Sequence, residues 1–162
     1  MNNLDVKDLV NNCEEELEKI KEFIESNKFS PMQPFLTKYT VIKVCGTLEQ
    51  SFKILISDFT CKDQNPQVKK FIDESFRRSS MNPNMENIRG ALGRFDENWK
   101  DNFNDLVKND ENSTIIVEAI KSLNTNRNSF AHGGNITPSF NDIYTYFQHS
   151  KKIIKYIEDS LI

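Results

Sequence analysis

Apolar residues recur at spacings of three and four along almost the whole chain, a period that predicts helices and leaves no competing strand pattern. Val6, Leu9, Val10, Cys13, Leu17, Ile20 and Ile24 mark an amphipathic helix over roughly residues 4–27. FSPMQP breaks it, and Pro34, tolerated in a first turn, opens a second helix reaching about residue 60. Its stripe of Phe35, Tyr39, Ile42, Cys45, Leu48, Phe52, Leu55, Ile56 and Phe59 is broad, as the central helix of a bundle requires. Asn65-Pro66 starts a shorter helix near 66–79 through Val68, Phe71, Ile72 and Phe76, and SSMNPN ends it. Met85 to Phe95, then Trp99, Phe103 and Leu106, read as two short helices or one bent one. Ser113 is expected to cap a helix over about 114–131 that Gly133 stops. Thr137-Pro138 is expected to open a last helix through Ile143, Phe147, Ile154, Ile157 and Leu161. The pattern predicts an all-α, single-domain helical bundle of five to seven helices over residues 1–162, with no internal repeat.

Composition narrows the function classes. With 162 residues, 37% of them hydrophobic and 28% charged, the chain can bury a real core. The net charge of −3 argues against coating nucleic acid by bulk electrostatics, though not against a local basic site. All five arginines (Arg77, Arg78, Arg89, Arg94, Arg127) fall in the middle and later part of the chain, and most read as members of solvated helix faces. The five glycines form neither a Walker loop nor a dinucleotide fingerprint. Cys13, Cys45 and Cys61 have no CxxC pairing, so neither a metal site nor a disulfide framework is expected; Cys13 and Cys45 read as small core residues. MNNLDVKDLV lacks the features of a signal peptide and no run suits a membrane span, so the expectation is a reduced cytoplasmic setting.

The chemistry concentrates in NTNRNSFAHGGN, residues 124–135, which holds one of only two histidines. Ile116, Ala119, Ile120, Leu123 and Phe130 define the expected buried stripe of the helix that carries it. At about 100° per residue, Arg127 falls about 40° from Leu123, on the margin of that stripe. A guanidinium there is costly unless something anionic pairs with it. Asn128 and His132 share another face with Lys121 and Asn124, and Arg127 and His132 lie about 140° apart on a straight helix. They converge only if the arginine reaches round, the last turn distorts, or a partner surface completes the site. Taken alone, His132 is open between a dipole-compensating residue at a helix C-terminus and a catalytic one. Arginine with histidine is the minimum for metal-free phosphodiester chemistry: two parallel hydrogen bonds to phosphate, and a group that titrates near neutral pH.

RNSFAHGG resembles the R-N-x-x-x-H signature of the HEPN superfamily (higher eukaryotes and prokaryotes nucleotide-binding), in its Rx4–6H form. Upstream, NIRGALGRFDENW and the long helix with CGTLEQSF resemble the RiboL-PSP type of HEPN protein, so the similarity spans most of the chain. The resemblance implies a helical bundle that forms a homodimer, with motifs from two subunits facing one cleft, and that cleaves RNA without metal or cofactor. Carried over by residue, Arg127 matches the motif arginine, Asn128 the polar position after it and His132 the motif histidine. Glu49 in the long helix is a candidate partner for Arg127, and Lys121 a further supporting residue.

The expected activity is endoribonuclease. His132 acts as general base on the ribose 2′-OH, Arg127 stabilises charge on the phosphate oxygens, and Asn128 orients the histidine or the phosphate. The products are a 2′,3′-cyclic phosphate and a 5′-OH. One histidine cannot serve as base and acid at once, so two copies in a two-fold site suit the reaction. The face of Lys121, Asn124, Asn128 and His132 is expected to point away from the subunit's own core toward that partner. Such a nuclease needs restraint, and the resemblance implies a cognate antitoxin or a defence setting. The rival expectation is a non-catalytic HEPN module that binds RNA or nucleotide, or scaffolds a complex. A third makes the chain the target of a modifying antitoxin, with Tyr144 and Tyr146 as candidate sites; His149 reads as a helix-surface residue.

Overall fold

The structure is a computed structural model and describes residues 2–162. Among them are seven α-helices and no strand: α1 (Leu4–Ser26), α2 (Gln33–Cys61), α3 (Pro66–Ile72), α4 (Met85–Phe95), α5 (Glu97–Lys108), α6 (Ser113–Ala131) and α7 (Phe140–Ser160). A π-helical turn, Asp73–Arg77, follows α3 without a break. The chain is an all-α single domain.

The long helix α2 is central, packing against α1, α4, α6 and α7. Val41, Val44, Cys45, Leu48, Phe52, Leu55 and Ile56 on it are all buried. Each such side chain removed from water contributes about 1.5–3 kcal/mol, which is why one apolar stripe can organise four neighbouring helices. The outer positions of the expected stripe, Phe35, Tyr39, Ile42 and Phe59, are exposed, because α2 is covered over only part of its circumference.

Local chemistry sets most helix ends. The Asn3 side chain accepts from the Val6 N–H at 3.0 Å and donates to Asp58 at 3.0 Å, tying the start of α1 to the end of α2. Asn65 caps α3 through Val68, as the Asn-Pro pair predicts. Asp96 ends α4 and caps α5 in one extended residue, so this region is two helices rather than one bent one.

Some expectations need correction. α7 begins at Phe140, two residues past Pro138, because Ser139 and Asp142 form a reciprocal capping box there. The cap of α6 is Asn112, whose side chain makes no capping bond, with Ser113 already inside the helix. Phe71 is exposed, and the π-helical turn instead directs Phe76 inward, edge-on to Phe95 at 5.1 Å. On α5 the buried series is Trp99, Phe103 and Val107, at i+4 steps, so Leu106 falls to the margin. Cys13 and Cys45 are buried and unpaired, and none of the helices is long and apolar enough to cross a membrane.

Candidate active site

Helix α6 stops at a defined point. His132 is its C-cap, with φ −98° and ψ 18°, and Gly133 follows in the left-handed region at φ 79°. The Gly133 N–H donates to the Phe130 carbonyl at 3.0 Å and the Gly134 N–H to the Ser129 carbonyl at 2.8 Å. These two bonds make a Schellman motif, which satisfies carbonyls the helix end would leave unpaired. Both glycines are needed. Gly133 supplies the positive φ, and a Cβ on Gly134 would come within 2.9 Å of the Ser129 carbonyl oxygen. The chain then turns back along α6, where Ser129 donates to the Asn135 carbonyl at 3.0 Å. His132 is thereby held on the last turn with its ring exposed.

Arg127 lies one turn earlier and is half-buried. Its guanidinium donates to the Asn128 side-chain oxygen at 3.3 Å, and that oxygen also accepts from Asn82 at 3.1 Å. Asn128 is therefore directed at the guanidinium rather than at the histidine. Arg127 lines a cleft of about 560 Å³ together with Arg94, Asn82, Asn87, Ser75 and Ser80. His132 does not line it, so a single chain does not bring the arginine and histidine into one cleft.

The motif face is not wholly free. Asn124 is buried, donating to the carbonyls of Pro83 (3.0 Å) and Ile120 (2.9 Å). Segment 79–84 covers that part of α6, which corrects the expectation that Asn124 and Asn128 point outward beside Lys121 and His132. Lys121 is exposed and pairs with Glu118 at 3.3 Å. Phe130, expected in the buried stripe, is only half-buried, with the Lys38 ammonium 5.8 Å from its ring.

Glu49 does not pair with Arg127. Its carboxylate accepts from Lys53 at 3.0 Å and from the Met81 N–H at 2.9 Å. Lys53 is 1% exposed and also donates to the Ser79 carbonyl. A buried ammonium is tolerable only with such partners, and here they fasten segment 79–84 to α2. Asn82, one residue past Met81, then reaches Asn128, so Glu49 is linked to the motif through that segment. The two charges share a neighbourhood even so: burial pushes the Cys45 thiol up to about 12, with Arg127 opposing and Glu49 reinforcing the rise.

Of the two tyrosines named as candidate modification sites, Tyr144 donates its hydroxyl to Glu18, a bond that leads in pushing its pKa up to about 12. Tyr144, Tyr146 and His149 are all half-buried. Among the described residues no three His, Cys, Asp or Glu side chains gather where they could hold a metal ion.

Sequence reasoning missed Arg94, Asn82 and Asn87. The asparagines carried no signal beyond turn propensity. For Arg94 one was present: the positions one turn back on α4 are Gly90 and Ala91, so the helix offers it no acid there. The family model described as RiboL-PSP-HEPN matches residues 8–162. No curated protein and no solved structure is significantly similar to the chain.

Proposed function

The chain belongs to the RiboL-PSP-HEPN family, and from that premise we propose that it is a metal-independent endoribonuclease acting as a homodimer. One observation carries the reading: an intact Arg127–Asn128–His132 motif, with the arginine in a cleft whose lining holds no acidic residue and the histidine exposed at a glycine-locked helix end.

The chemistry follows from those two positions. Arg127 binds the scissile phosphate with its planar fork, held in orientation by Asn128. A histidine takes the proton from the 2′-OH, the 2′ oxygen attacks phosphorus, and the 5′ oxygen leaves with a proton from a second histidine. The products are a 2′,3′-cyclic phosphate and a 5′-OH, and no water is consumed. A second copy of the chain would bring its own His132 to the pair, supplying base and acid together. The same reading includes a reduced cytoplasmic setting, in keeping with the buried free thiols of Cys13 and Cys45, and a restraining partner such as an antitoxin.

The test is RNA incubation in excess EDTA with wild type and His132→Ala in parallel. Wild-type cleavage should persist, and the variant should lose at least roughly 100-fold. Equal activity of the two proteins, or loss of activity on chelation alone, would sink the mechanism. The two-fold site has its own test. A purified dimer of one wild-type and one His132→Ala subunit should cleave far below half the wild-type rate; a full rate per wild-type subunit would mean independent sites. The second reading, a module that binds RNA without cutting it, is favoured by the separation of His132 from the Arg127 cleft within one chain. It predicts RNA binding with no products from wild type.

A further inference from the structure

The five arginines have different fates. Arg77 pairs with Asp58 at 2.9 Å and Arg78 with Asp73 at 2.8 Å. Arg89 donates to the Asn104 side chain at 2.8 Å. Arg89, Arg94 and Arg127 have no carboxylate partner among the described residues, and of these Arg94 and Arg127 line the same cleft. The rest of that lining includes the amides of Asn82 and Asn87 and three serines, without one aspartate or glutamate. The neighbouring depression, which shares Ser79 and Ser80, holds Glu49 and Asp73 beside its own cations. In a chain of net charge −3, two guanidiniums in a cleft without an acid leave local positive charge that an anion would neutralise. Like charges facing one cleft repel, and a bound phosphate turns that repulsion into attraction.

We propose that Arg94 is a substrate-binding residue that, across the cleft from Arg127, grips a backbone phosphate of a bound RNA strand; the assignment of RNA rests on the function proposed above. The two arginines differ in exposure. Arg127 is half-buried and oriented by Asn128, while Arg94 is exposed on α4 and free to close over the strand. The cleft also needs segment 79–84 in place, since Asn82 links it to the motif. Arg94 touches the substrate without taking part in proton transfer, so it should set affinity and leave the chemical step nearly unchanged.

The experiment measures binding of a short fluorescent single-stranded RNA by anisotropy at several salt concentrations. Binding is read in the His132→Ala background, so that nothing is cut, with cleavage by the single variants followed separately. Adding Arg94→Ala should weaken binding about tenfold, the low end for a hydrogen bond to a charged group. It should also reduce the salt slope by about 0.7, the value for one phosphate contact on a single strand. Arg94→Lys should recover part of the affinity. Lys155→Ala, an equal loss of charge on α7 away from the cleft, should change neither quantity. In cleavage assays Arg94→Ala should raise KM and largely preserve kcat.

RNA bound equally well with and without Arg94 overturns this proposal and leaves the nuclease reading standing. Binding weakened by Arg94→Ala, in a protein whose wild type never cleaves, supports the grip while the nuclease reading fails. No RNA binding by any form overturns both. A kcat loss in Arg94→Ala as large as that of His132→Ala, at unchanged KM, overturns the binding role as well.

Discussion

The first half of α6 buries Ile116, Ala119, Ile120 and Leu123 at 2% exposure or less, whereas its second half presents Arg127, Asn128 and His132 at half-buried or exposed positions. Both halves are regular helix. The difference lies in what packs on them. Helices α2 and α7 pack on α6, and its second half also meets Asn82 of segment 79–84 and a solvent cleft. One rigid rod thus carries an anchor and a site, and the anchor fixes the site without contributing chemistry to it.

Substitutions in the two halves should therefore separate stability from activity. Leu123→Ala removes a fully buried side chain beside Cys45, whose thiol contacts the Leu123 carbonyl at 3.6 Å. It should cost about 3 kcal/mol of stability, seen as a lower urea midpoint, with cleavage per folded molecule retained. An unchanged midpoint would mean that the first half is not the anchor. Arg127→Lys keeps the charge but not the planar fork. Cleavage should fall about tenfold or more, the scale of a lost hydrogen bond to a charged group, with the midpoint nearly unmoved. If that variant unfolds instead, Arg127 belongs to the anchor. The smallest effect is expected at the junction. Gly133→Ala forces a Cβ into the left-handed region, at a cost of about 1 kcal/mol. Thermal melting should report a drop of a few degrees, about the scale of 1 kcal/mol in a domain of this size. Cleavage should fall by more than that loss explains, because His132 sits on the turn the glycine closes. Activity unaffected by Gly133→Ala would show that the helix end does not position the histidine.

Much of this was legible without coordinates. The i, i+3, i+4 series located the helical segments while leaving open whether α4 and α5 were one helix or two, and Gly133 located the stop of α6, because both signals are local: a 3.6-residue period and one residue's allowed φ. The motif residues Arg127, Asn128 and His132 were legible for the same reason, lying within two turns of one helix. The orientation of their neighbours was not. Glu49 was read as a partner for Arg127, and only packing shows it turned toward Lys53 and Met81.

The sequence by itself determined the helical segments, where α6 ends and the motif side chains Arg127, Asn128 and His132, since backbone propensity and apolar period depend on near neighbours. Tertiary structure decided what those side chains meet. Asn82 reaches Asn128 across 46 positions and Asn124 reaches Pro83 across 41. Arg94 arrives at the cleft from another helix altogether. Such meetings depend on how α2, α4 and α6 cross and on where segment 79–84 is fastened. Those are properties of packed surfaces, and no window of sequence contains both sides of them.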